Sequence, residues 1–309
     1  IDAFRVFAKT DNSLYTNTNP TNGEFICPSS GKPCSCGESK VHTCESSAGD
    51  TTSGDHRPVS HCEIDGTLYN EKELIFPPEL VRRNVLPLKL HGFGGIRWYR
   101  PLKLEALLDL KSLYPNAKLV VGNTEVGIEI NFKNAQYPIL ISVTHVQELN
   151  AMHIKENGLE IGSSVRLSKL QQVLIKVITE RDTHETSSCR AISEQLKWFA
   201  GKQVKNVASV GGNICTASPI SDLNPLWMAT RTEFRIVDSK GNIRTVLAKD
   251  FFLGYRKVDL SQGEILLSIF LPWCRRFEFV KEYKQSHRRE DDIALVNSGM
   301  RVYLKEVES

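Results

Sequence analysis

Between about residue 89 and residue 272 the chain alternates short apolar, β-rich runs with stretches whose apolar positions recur at helical spacing. Lys103 to Tyr114 is a helix on this basis, because Leu104, Leu107, Leu108 and Leu113 fall on one side and Pro115 closes it. The strand KLVV follows and runs into Gly122, Asn123 and Thr124, where the chain must turn before the alternating run VGIEINF, which reads as a strand. A second helix is expected over about Leu167 to Thr179, and a third from Ser188 to Ala200 with Gly201 as its C-cap. Leu223 to Ala229 reads as a short helix, and EFRIV, NIRTVLA and EILLSIFLP read as strands. Beyond 277 an antiparallel strand pair begins. Strands and helices mixed in this way imply an α+β fold with a partly antiparallel sheet.

The first 88 residues follow a different pattern. Residues 1 to 16 carry Phe4, Val6 and Phe7 in a short amphipathic segment, expected to be the tail of a preceding domain. Residues 17 to 88 are expected to be a flexible linker, since CPSSGKPCSCGESKVHTCESSAGDTTSGDHRPVSH has hardly an aliphatic side chain. Five of the eight cysteines fall here: Cys27, Cys34, Cys36, Cys44 and Cys62. Their spacing lacks the paired C-x₂-C elements of zinc ribbons and iron–sulfur sites, so they read as free thiols and no metal site is expected. The chain opens on Ile1 rather than Met and ends in strand-like sequence, so it is expected to be a segment of something longer.

Composition narrows the partners. With 309 residues, 40% hydrophobic and 24% charged, there is material for one or two compact domains. A net charge of +3 lacks the basic stripe that tracks nucleic acid, so none is expected as a partner. The longest apolar runs are about half the ~20 residues of a membrane helix, and no membrane association is expected. Without an N-x-S/T sequon or a repeated cysteine spacing, a reducing compartment fits best, the cytoplasm first and the peroxisome second.

The candidate chemistry lies in WFAGKQVKNVASVGGNICTASPISDLNP, residues 198 to 225. The apolar run Val207 to Val210 reads as a strand ending in two bare glycines, followed by Asn213, Thr216, Ser218, Ser221 and Asp222. Such an ending leaves backbone N–H groups uncovered and lets an anion approach, as in a phosphate cradle. The turn VVGNTEVG at 120 to 127 is built alike, and the two together favour a nucleotide, although either alone would also serve as a plain tight turn. No G-x-G-x-x-G opens a helix, HGFGGIR has the wrong glycine spacing, and no G-x-x-x-x-G-K-[ST] occurs. A Rossmann or P-loop protein is therefore disfavoured. His145, His153 and His184 are scattered singly, and no general acid, base or nucleophile is assigned.

These turns, with WFAGKQVKNVAS, TASPISDLNP, FFLGYRK, EILLSIFLPW and KQSHRREDDIALVNSGMRV, resemble the flavin-binding segment of the xanthine dehydrogenase family, the plant enzymes most closely. The resemblance runs from about Pro87 to Leu304. It implies a two-subdomain α+β fold of the vanillyl-alcohol-oxidase/CO-dehydrogenase-flavoprotein type, with an FAD-binding domain at 89 to 272 and a second flavoprotein subdomain beginning at 273 to 309. It also makes residues 1 to 16 the end of an iron–sulfur domain. Carried over by position, Leu119, Val120, Val121, Gly122, Asn123, Thr124, Glu125 and Val126 resemble the first flavin-binding turn. Ser209, Val210, Gly211, Gly212 and Asn213 resemble the second, and Phe199, Asp222, Leu266 and Lys284 the isolated contacts.

The resemblance also implies a division of labour. Backbone at 122, 211 and 212 would meet the pyrophosphate, Asn213 and Asp222 the ribityl or ribose hydroxyls, Phe199 and Leu266 the apolar ring, and Lys284 the flavin's electron-rich edge. The loop HRREDD at 287 to 292, with Arg289, Asp291 and nearby Trp198, would lie beside the flavin. The implied activity is electron relay. A molybdopterin centre oxidises a purine, 2Fe-2S clusters pass the electrons on, and FAD hands them to NAD, in a full-length enzyme expected to be a homodimer. Two alternatives remain: the FAD domain of an aldehyde oxidase using oxygen, and a non-catalytic interaction module.

Overall fold

Parallel pairing decides how the first half is built. In the computed structural model, which describes residues 85–288 and 290–305, strands β1 (Leu88–His91), β2 (Arg97–Arg100), β3 (Lys118–Val120) and β4 (Ile139–Ser142) form one sheet in the order β1-β2-β4-β3. β1 and β2 are antiparallel, whereas β4 runs parallel to both its neighbours, with Leu119 opposite Ile141. Parallel neighbours need crossovers. Helix α1 (Leu104–Leu113) lies between β2 and β3, and α2 (Val126–Lys133) between β3 and β4.

That requirement overturns the strand expected at VGIEINF, which is α2. Its alternation misleads because Ile128, Ile130 and Phe132 are exposed, and only Val126 is buried. In α1 the buried stripe is Leu107, Leu108 and Lys111, whereas Leu113 is exposed, since it falls off the i, i+3, i+4, i+7 line from Leu104. The Lys111 ammonium bonds the carbonyls of Pro115 and Ala117 just past the helix end.

The second half is organised by a five-stranded antiparallel sheet in the order β5-β6-β11-β7-β8. Its strands are β5 (Met152–Ile154), β6 (Gly158–Gly162), β7 (Glu233–Val237), β8 (Ile243–Leu247) and β11 (Ile265–Pro272), with the short pair β9 (Phe252–Gly254) and β10 (Lys257–Val258) between the last two. Helices α3 (Leu167–Glu180), α4 (Ser187–Lys197), α5 (Lys202–Val207), α6 (Val210–Thr216) and α7 (Asn224–Ala229) connect β6 to β7. Leu167, Leu170, Leu174 and Val177 form one stripe of α3 and meet Ile192 and Leu196 of α4, Ile161 of β6 and Phe234 of β7 in the main core.

Helix α4 ends at Lys197, with Trp198 as its cap. Gly201, expected as that cap, is extended (φ −70°) and starts α5, while Ala200 takes the left-handed turn (φ 34°). The expected strand at Val207 to Val210 is also absent. Val207 closes α5, and Ser209 caps α6 by accepting the Gly212 N–H through its hydroxyl, so the two glycines fall in a helix's first turn.

The last elements are the antiparallel hairpin β12 (Glu278–Ser286) and β13 (Ala294–Tyr303). It is tied to the helices by the Val280 N–H on Ser187 Oγ and by Gly299, whose missing side chain lets β13 lie against the Pro225 carbonyl. The preceding-domain tail at 1 to 16, nearly all of the linker with its five cysteines, and Arg289 lie outside the described residues.

Candidate functional site

The two glycine turns meet. A Cβ on Gly122 would overlap the Val207 carbonyl, so the turn after β3 rests on the backbone one residue before Ala208 and the cap of α6. This contact joins the first half of the fold to the second. Gly211 plays the same part further on, because a Cβ there would stand 2.6 Å from Ser163 Cβ and 2.7 Å from the Ser163 carbonyl oxygen, at the end of β6. Both glycines are needed for chain-to-chain approach, not only for ligand approach.

Their N–H groups differ in availability. At the second turn four of the five are engaged: Val210 on the Val165 carbonyl (2.9 Å), Gly211 on Ser163 (2.8 Å), Gly212 on Ser209 Oγ (3.1 Å) and Asn213 on the Ser209 carbonyl (3.1 Å). The bare N–H pair expected at 211 and 212 is therefore occupied within the fold. At the first turn, none of the five N–H groups from Gly122 to Val126 has an acceptor among the described residues. Asn123, left-handed at φ 58°, bends that run into the start of α2. Consecutive unpaired N–H groups at a helix start form an anion site.

A cleft of about 890 Å³ opens beside this turn, within the roughly 300–1,000 Å³ of cofactor sites. All eight residues from Leu119 to Val126 line it, as do Ser209, Gly211, Gly212, Asn213, Phe199, Asp222 and Leu266. Two predicted contacts are not on its wall. Val210 is wholly buried in the core. Lys284 stands behind Asp222, and its three ammonium donors go to Asp222 Oδ2 (2.9 Å) and to the carbonyls of Trp198 (2.8 Å) and Asp292 (2.9 Å). It is a strut of the wall rather than a charge free to face a ligand. Asp222 Oδ1 in turn takes Asn297 (2.9 Å), and Asn213 Oδ1 takes the Ser221 hydroxyl (2.9 Å).

Other lining residues lie outside the two glycine turns. Arg256 of the β9–β10 turn reaches across to Glu125 (2.8 Å), pinning the acidic side chain of the anion turn to the second half. Asp291 and Asp292 of the charged loop face the cleft, and Ser163 and Ser164 line it from the end of β6. Burial pushes the Cys215 thiol up to about 12, so this lining residue is a neutral thiol at physiological pH. Among the described residues no group of three or more His, Cys, Asp or Glu could hold a metal. The arrangement suits a long, anionic, partly apolar ligand: unpaired N–H groups on one side, hydroxyls and an amide on the other, Phe199 and Leu266 for a ring.

Comparison with known proteins agrees with that chemistry. Residues 93–274 match the family model described as the FAD binding domain in molybdopterin dehydrogenase, and the chain belongs to this family. It is similar to the xanthine dehydrogenase of Oryza sativa subsp. japonica, 66% identical over 100% of this chain and 23% of the relative. It is also similar to xanthine dehydrogenase 1 of Arabidopsis thaliana, at 59% over 99% of this chain and 22% of the relative. Within the family the segment is of the xanthine dehydrogenase type, and it spans about a quarter of these relatives' length.

Among solved structures, quinoline 2-oxidoreductase from Pseudomonas putida 86 is similar at 20% identity, over 69% of this chain and 70% of that one, with a TM-score of 0.60. Reconstituted CO dehydrogenase from Oligotropha carboxidovorans is similar at 17% identity, over 69% and 71%, with a TM-score of 0.59. These likenesses bear on the fold alone, and they agree with the CO-dehydrogenase-flavoprotein type.

Proposed function

We propose that the cleft holds FAD with its diphosphate on the Gly122 to Val126 turn, and that the segment relays electrons within a xanthine dehydrogenase. The five unpaired N–H groups at one wall of the cleft carry this reading. Bound FAD would supply an acceptor able to collect two electrons and release them as a hydride.

The chain's own residues do the rest. The 122–126 turn fixes the diphosphate, Asn213 and Ser218 offer polar contacts along the chain of the cofactor, and Phe199 with Leu266 covers apolar ring surface and excludes water. Lys284 and Asp222 hold the wall that carries the Trp198 and Asp292 carbonyls. In this reading no side chain is needed as an acid or base.

For the full-length protein we propose oxidation of hypoxanthine and xanthine to urate in a molybdopterin domain, with 2Fe-2S clusters delivering electrons and NAD taking them away. Its partners are the iron–sulfur and molybdenum domains of the same chain, and it acts as a cytoplasmic homodimer, with the peroxisome as the other possible address. In support, no helix among the described residues is long and apolar enough to cross a membrane. The domain boundaries at 16, 88 and 272 belong to the same proposal. Rapid mixing of the xanthine-reduced full-length protein with NAD tests the relay: the flavin absorbance should return as NADH forms. Reoxidation by oxygen but not by NAD would refute it.

A further inference from the structure

Four buried side-chain polar atoms lack a partner among the described residues: Arg100 Nε, Asn224 Oδ1, Trp227 Nε1 and Ser164 Oγ. Of these, Ser164 alone belongs to the cleft wall. A buried hydroxyl without a partner is costly, by about 1–3 kcal/mol, so an unpaired one inside a binding cleft points to a ligand atom.

Its backbone is held firmly. Ser164 N donates to the Leu149 carbonyl (2.8 Å), Ser163 N to Leu267 (3.1 Å) and Val165 N to Gly162 (3.1 Å), while the carbonyls of Ser163 and Val165 receive the N–H groups of Gly211 and Val210. Ser164 is only 2% exposed. These bonds seat it next to the first turn of α6, and the end of α5 just before it abuts the anion turn through Gly122 and Val207. Ser164 Oγ is closed off from solvent in this structure, so a turn of the side chain about χ1 is what would bring the hydroxyl to the cleft, where oxygens of an anionic chain leaving the Gly122 to Val126 N–H groups are acceptors.

We infer that Ser164 is a cofactor-binding residue whose hydroxyl donates to an oxygen of the diphosphate–ribityl chain of FAD. This rests on the flavin reading above. It assigns a binding contact to a residue outside both glycine turns.

The test compares the 309-residue chain with its Ser164→Ala variant, each stripped of flavin and titrated with FAD by calorimetry, alongside thermal unfolding with and without FAD. The variant should bind FAD about tenfold more weakly, the factor expected for losing one hydrogen bond to a charged acceptor. Without FAD its unfolding midpoint should be unchanged or higher, since the substitution removes an unpaired hydroxyl. A parallel titration with ADP locates the contact: weakening shared by ADP puts it on the diphosphate, and weakening confined to FAD puts it on the ribityl chain. Equal FAD affinity in the two proteins would overturn the inference, as would a lowered midpoint in the flavin-free variant, which marks a structural serine. Failure of the unsubstituted chain, folded by circular dichroism, to bind FAD would instead remove the flavin reading itself.

Discussion

The ammonium of Lys284 and the carboxylate of Asp222 lie 2.9 Å apart, with side chains only 7% and 10% exposed. The pair joins β12 to the segment before α7, and the other two ammonium donors tie down the Trp198 and Asp292 carbonyls. Removing one partner of a buried pair costs about 3–5 kcal/mol, because the other charge stays buried. Lys284→Met should therefore lower the unfolding free energy by about that amount in urea titration. Adding Asp222→Leu should recover part of it, since no charge is then stranded. A loss in the double variant equal to the sum of the Lys284→Met and Asp222→Leu losses measured singly would mean that the charges are not coupled.

The three turn glycines should not respond alike to alanine. At Gly122 the new methyl meets the Val207 backbone, and at Gly211 it meets the Ser163 backbone and Cβ, so either substitution should destabilise the fold by about 1–3 kcal/mol or more. At Gly212 it meets only the Ser209 hydroxyl, 2.8 Å away, whose displacement costs at most the one cap bond it makes to α6. Gly212→Ala should stay within about 1 kcal/mol of the parent by thermal unfolding and still bind FAD, because its N–H serves the Ser209 cap and not the ligand.

Acid should act in part through Glu278. Burial pushes its carboxyl up, but the Arg275 N–H together with Arg231 and Arg301 outweighs this and holds it below the usual carboxylate range. A group with a depressed folded pKa stabilises fully above its unfolded pKa, about 4.3, and loses that contribution as the pH falls through the lower folded value. Stability should thus drop below about pH 4. Glu278→Gln should be less stable at neutral pH, by about 2 kcal/mol given the partly exposed arginines, with a flatter acid limb in pH-dependent unfolding. An unchanged acid limb would show that other carboxylates dominate.

Much of the fold was legible in the residues. The helical stripe of Leu167 to Thr179, the strands EFRIV and EILLSIFLP and the hairpin beyond 277 all follow from local period. The failures share a cause, which is that tertiary demands override local pattern. VGIEINF alternates like a strand, but parallel β3 and β4 require a crossover, and the alternating residues end up exposed on opposite sides of a helix. At SVGG the glycines suggested a strand end, whereas the Ser209 cap made them a helix start.

Position in the cleft is easier to read from the sequence than the use of each donor. Gly211 and Gly212 line the cleft, but their N–H groups are paired within the fold, which a glycine count does not reveal. The donors of Lys284 go to groups far apart in sequence, from Trp198 to Asp292, which no local pattern announces. Ser164 had no local signal, since a serine after a strand becomes informative only when its burial and lack of a partner are seen.

The location of the diphosphate tests the account most directly, through the electron density of crystals grown with FAD. The account predicts diphosphate oxygens within hydrogen-bond distance of the N–H groups between Gly122 and Val126, with the ring toward Phe199 and Leu266. A diphosphate seated on Gly211 and Gly212 with the first turn empty, or FAD bound outside the cleft, would contradict it.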